Sequence, residues 1–144
     1  MIEQDTVKLL RECDAGVKMG VESIEEVLPY VRAEKLKTHL ESCKAEHQRL
    51  GGEIAAELRR FHDEGKQPNP IAQKSSQAMT KAKLVLTGSD QTIADMMTDG
   101  CNMGIKSLNR YLNEYEAAEE RAKDIAKRLI MQEKKLADGV RDYL

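Results

Sequence analysis

The chain has 144 residues, of which 40% are hydrophobic, 33% charged and 3% aromatic, with three Pro and nine Gly. This is too apolar for disorder and too poor in Gly and Pro for a fibrous or low-complexity chain; abundant Ala, Leu, Glu, Lys, Met and Gln exclude a β-sandwich and point to helix. The formal net charge is −2, with no block of five like charges, so there is no electrostatic footprint for nucleic acid.

The chain opens Met1-Ile2-Glu3-Gln4-Asp5, without the basic-then-apolar order of a signal peptide. Asp5 or Thr6 is the expected N-cap of a first helix that runs to Leu28, where Pro29 ends it. A second helix is predicted from Arg32 to Glu64, closed by Gly65 as its left-handed cap. Lys66-Gln67-Pro68-Asn69-Pro70 reads as an extended linker. Asn69 then caps, and Pro70 begins, a shorter helix to Leu86. Thr87-Gly88-Ser89-Asp90 ends it and caps a fourth helix to Tyr115, and a last helix occupies Ala117 to Tyr143. The expected fold is all-α: one domain over 1–144, with a hairpin at 5–64, a crossover at 65–89 and a second hairpin at 90–143. No stretch approaches the roughly 18 apolar residues needed to span a bilayer, so no membrane partner is expected.

Within the first helix the apolar stripe is Val7, Leu10, Asp14, Val17, Val21, Ile24, Leu28, a bundle seam with one polar intruder, Asp14. In the second it is Leu36, Leu40, Cys43, His47, Leu50, Ile54, Leu58, Phe61, and the intruder is His47. Facing residues of an antiparallel hairpin share one index sum. Val7 with Ile54, Val21 with Leu40 and Asp14 with His47 do so, which places Asp14 opposite His47. An internal repeat extends the pattern: Cys13-Asp14-Ala15-Gly16-Val17-Lys18 matches Cys101-Asn102-Met103-Gly104-Ile105-Lys106. In the second hairpin Asn102 then stands for Asp14, and Glu133 or its neighbour Gln132 stands for His47. A mid-height layer of Asp14, His47, Asn102 and Glu133 is expected. It is either a satisfied polar network, with Asp14 accepting from a His47 of raised pKa, or a site for a single Fe or Zn ion.

Gly16 and Gly20, with Gly100 and Gly104, suggest close packing of the first and fourth helices beside Cys13 and Cys101. Gly51-Gly52 invites a kink or another close approach. The three Cys, an odd number without a CxxC, suit a reducing cytoplasm and read as small buried hydrophobes; a redox pair of Cys13 and Cys101 is the alternative. Met96, Met97, Met103 and Met131 read as core fillers, with a partner-binding surface as the alternative, while the apolar residues of the crossover helix either lie along the bundle edge or serve a homo-oligomer contact. His39 falls at the seam boundary and His62 on the surface.

Two long hairpins, a long crossover and inward polar residues resemble the ferritin-like superfamily. The segment Leu9-Leu10-Arg11-Glu12-Cys13-Asp14-Ala15-Gly16, the Pro-bearing linker and Leu86-Thr87-Gly88-Ser89-Asp90 look like those of small bacterial ferritin-like four-helix-bundle proteins of unassigned function. The resemblance implies a four-helix bundle with a short fifth helix in the crossover. The di-iron members carry Glu-x-x-His on two helices, and this chain has none: Leu36, Lys44 and Arg59 precede its three His by three positions. The expectation is therefore a non-catalytic structural or interaction module without a resident cofactor, and the alternative is a metal-binding or oxidative-stress protein using the polar layer.

Overall fold

The computed structural model describes residues 2–68 and 88–144. Within them are four long helices, α1 (Ile2–Val27), α2 (Glu34–Arg60), α3 (Asp90–Glu114) and α4 (Glu120–Val140), with short 3-10 turns at Leu28–Tyr30 and Arg141–Tyr143 and no strand. The expected Asn69 cap and the short helix from Pro70 to Leu86 lie outside the described residues. Among the described residues no helix is long and apolar enough to cross a membrane.

Local chemistry accounts for most of the boundaries and corrects four of them. Pro29 sits in the Leu28–Tyr30 turn, after which Val31 is extended, so α1 stops where expected. Ser89 caps α3, its Oγ accepting from Thr92 N at 3.2 Å. At its other end α1 begins at Ile2, not at an Asp5 or Thr6 cap, because those side chains serve a different turn. Asp5 Oδ2 accepts from Ala117 N at 3.2 Å, and Thr6 Oγ1 accepts from Glu119 N at 2.8 Å while donating to Ile2 O at 2.6 Å. With these amides satisfied inside the α3–α4 turn, α4 starts at Glu120 and not at Ala117. It ends at Val140, and the Arg141–Tyr143 turn replaces its last expected residues.

The end of α2 is the fourth correction. The helix stops at Arg60, and the left-handed residue that closes it is His62, with φ 56°, in place of the more distant Gly65. Asp63 N bonds Leu58 O at 3.1 Å and His62 N bonds Arg59 O at 3.1 Å, the double closure of a Schellman cap. His62 is exposed, as expected.

Asp90, first in α3, accepts from Arg32 N and Ala33 N at 2.9 Å each. The start of α3 therefore lies against the α1–α2 turn, and the α3–α4 turn against the start of α1. It follows that α3 runs antiparallel to α1, and α4 runs parallel to α1. Helix α1 packs on α2, α3 on α4, and α4 also on α2 and α1, with α1 and α3 in sparser contact.

The core divides into two apolar clusters. One gathers Leu9, Leu10, Cys13 and Val17 with Leu50, Ile54, Leu58, Leu108, Ile125 and Leu129. The other gathers Ile24, Val27, Leu36, Leu40 and Cys43 with Ile93, Met97, Cys101, Leu136 and Val140. Cys13 and Cys101 are buried in different clusters, each as a small core residue.

Candidate functional site

The two clusters meet at one level, and each helix brings one residue to it: Gly20, His47, Gly104 and Glu133. The imidazole of His47 is completely buried and the Glu133 side chain almost so. His47 Nε2 lies 2.8 Å from Glu133 Oε1, and Nδ1 lies 2.9 Å from the Cys43 carbonyl. A carbonyl only accepts, so Nδ1 carries a proton. The Nε2···Oε1 contact then holds a second proton between ring and carboxylate. Burial alone would lower the His47 pKa; the hydrogen bond and charge of Glu133, the Cys43 carbonyl and the charge of Glu46 together outweigh it and raise it.

The glycines make room for this pair. A Cβ on Gly20 would stand 2.9 Å from His47 Cδ2 and 3.6 Å from Glu133 Oε1, and one on Gly104 would stand 3.4 Å from Glu133 Oε2. The expected packing of the first and fourth helices through their glycines is thus replaced. Gly16, Gly20 and Gly104 face side chains of α2 and α4, and among the described residues nothing lies within 4 Å of a Cβ on Gly100. Gly51 does allow a close approach, since a Cβ there would stand 3.1 Å from Val17 Cγ1, and α2 continues through it.

Of the four residues expected in one layer, the structure brings together His47 and Glu133 only. Asp14 is buried, but its Oδ2 takes Lys18 Nζ at 2.7 Å and Lys66 N at 3.0 Å. Opposite His47 stands Gly20, six residues further along α1. Asn102 is exposed, because it follows Cys101, which occupies the seam, and adjacent helical residues point about 100° apart. Gln132 turns to the α2 backbone, donating to Glu46 O at 3.4 Å. The four-ligand Fe or Zn set is therefore not assembled. Among the described residues no group of three His, Cys, Asp or Glu side chains is placed to hold a metal ion.

Asp14 has a different task. With Gly65 it holds the segment after α2 against α1: Gly65 has φ 92°, and a Cβ there would collide with the Asp14 carboxylate. Lys66 Nζ adds an ion pair to Glu12 at 2.5 Å, and Pro68 is buried. Two further polar residues are buried that the sequence reading did not place in the core, Thr6 and Glu57. Glu57 pairs with Arg60 at 2.7 Å and Arg121 at 3.0 Å; its i, i+3 spacing to Arg60 was the available signal. His39, at the seam edge, lies over Gly139 and reaches Leu136 O at 3.1 Å.

Between α1 and α3, with α4 as its floor, is a cavity of about 480 Å³. Its walls include Met19, Met96, Met97 and Met103, and Cys101 and Glu133 contribute to its lining. The charge of Glu133 acts on the Cys101 thiol. All three thiols are free. Burial raises each: Cys13 to about 12, helped by the charges of Glu12 and Asp14, Cys43 to about 11, and Cys101 upward too, with Glu133 adding to the effect. They are protonated at neutral pH. No family model matches this chain, and no curated protein or solved structure matches it.

Proposed function

We propose that the chain is a non-catalytic, ferritin-like helical bundle that serves as a binding module, with the cavity between α1 and α3 as its site. The cavity itself carries the reading. Its volume of about 480 Å³ falls in the range of small-molecule sites, roughly 300–1,000 Å³, and thioether walls adapt to different shapes. The ionisable groups on its floor are engaged with one another, and the Cys101 thiol is held protonated, which favours holding a ligand over transforming it. The ferritin-like arrangement is supported by the helix directions. Helix α3 starts beside the α1–α2 turn, at the opposite end from where α2 finishes, which calls for a connection as long as the bundle. Three free, buried thiols fit residence in a reducing compartment such as the cytoplasm.

The test is titration with a neutral apolar fluorophore, N-phenyl-1-naphthylamine. Saturable one-to-one binding is expected in the native protein. Gly100→Leu, which extends a side chain from the cavity lining at a position with free space, should weaken it while helicity is unchanged. Absence of saturable binding, or binding indifferent to Gly100→Leu, would overturn the reading.

A further inference from the structure

Four of the seven methionines in the chain, Met19, Met96, Met97 and Met103, and one of its three cysteines line this one cavity. Thioether and thiol sulfur are soft donors, poorly matched to the oxygen-preferring cations and well matched to monovalent copper. Their arrangement along the helices is favourable. Met97 and Cys101 are four residues apart on α3, hence one above the other on the same face. Gly20 and Gly104 both border Glu133, which sets the two helices in register there. Met19 of α1 and Met97 of α3 line the same cavity as Cys101, so both helices bring a thioether to it. Methionine has three rotatable side-chain bonds and can move its sulfur toward a shared point. Neither imidazole in the core competes for such an ion: His47 is bonded at both nitrogens, and His39 is turned to the Leu136 carbonyl.

We infer that the cavity between α1 and α3 is a Cu(I) site built from Cys101 Sγ with the thioethers of Met97 and Met19. On binding, the Sγ–H bond of Cys101 gives way to an Sγ–Cu bond and the proton is released to solvent; copper stays monovalent, so no electron is exchanged. The inference rests on the cavity being a binding site, and it names the class of ligand.

The experiment is anaerobic titration of the reduced protein with Cu(I) in the presence of bicinchoninate as a competing chromophore, followed by copper X-ray absorption. One tightly held Cu(I) per chain in an all-sulfur shell is expected. Cys101→Ser should weaken retention by more than about 100-fold, beyond the loss typical of an outer contact. The volume-conserving pair Met19→Leu/Met97→Leu should weaken it as well, with helicity and thermal midpoint retained. Failure to retain copper against the chelator, equal retention by both variants, or a nitrogen- or oxygen-dominated shell would overturn the inference. The naphthylamine titration separates the two levels. Dye binding without copper retention rejects Cu(I) and leaves the binding module standing, whereas loss of both rejects the module.

Discussion

His47 and Glu133 meet at 2.8 Å between the two apolar clusters, with a glycine of α1 and a glycine of α3 close against them. Each residue of the pair depends on the other, since an ion buried alone is far costlier than the pair. His47→Ala should therefore destabilise the fold by about 3–5 kcal/mol. Replacing both residues by Leu and Met should recover most of that loss. Urea denaturation of the single and double variants measures the difference. Equal losses in the two would show that the pair is not coupled.

The pair also sets a pH dependence. The folded pKa of His47 lies above its ordinary value of 6.5, so the native state binds the proton more tightly than the unfolded chain. The corresponding stability is complete below about 6.5 and is lost as pH rises through the raised folded value. The stability advantage of wild type over His47→Gln should accordingly shrink from pH 6 toward alkaline pH, as followed by thermal midpoints. An advantage that grows over that range would contradict the assignment.

Two glycines inside helices should respond in opposite ways to alanine. A Cβ on Gly20 would press on the His47 ring at 2.9 Å, whereas Gly52 is exposed in the interior of α2, with nothing within 4 Å among the described residues. Gly52→Ala should stabilise by about 0.5–1 kcal/mol through helix propensity. Gly20→Ala should cost about 1–3 kcal/mol through overpacking. Calorimetric midpoints of the two variants provide the comparison.

Asp14 holds the segment that follows α2. Asp14→Ala removes the acceptor for Lys66 N and the partner of Lys18, leaving a part-buried amide unsatisfied at a cost of about 1–3 kcal/mol. Tryptic cleavage after Lys66 should then become faster than in wild type under native conditions. An unchanged cleavage rate would show that Asp14 does not restrain this segment.

The sequence was most legible where chemistry is local. Pro29, Ser89 and the apolar seams of α1 and α2 marked the helices and their inward faces, His47 stood out as a polar residue on the α2 seam, and the repeat pointed to Glu133 or its neighbour Gln132 on the last helix. The register of the first hairpin was the hidden part. A seam that alternates steps of three and four matches itself after seven residues, so apolar complementarity cannot distinguish Asp14 opposite His47 from a pairing nearly one heptad away. The Leu28–Tyr30 turn and the extended residues after it decide that offset, and they place Gly20 there. Asn102 was misplaced for a related reason. The repeat aligned it with Asp14, but the residue facing Glu133 is Gly104, two positions on, whose lack of a side chain left no polar signal to read.

The bonds from Asp90 to Arg32 and Ala33, and from Asp5 and Thr6 to Ala117 and Glu119, make each hairpin the keeper of the other's bend. Neither half is finished alone, whatever its internal similarity to the other. Separated, each would leave backbone amides of its own bend without acceptors. The fastening at the Thr6 end joins residues 113 positions apart, so it forms only after nearly the whole chain has been drawn together. The two hairpins have in this way become indivisible, and losing either fastening should loosen both halves at once.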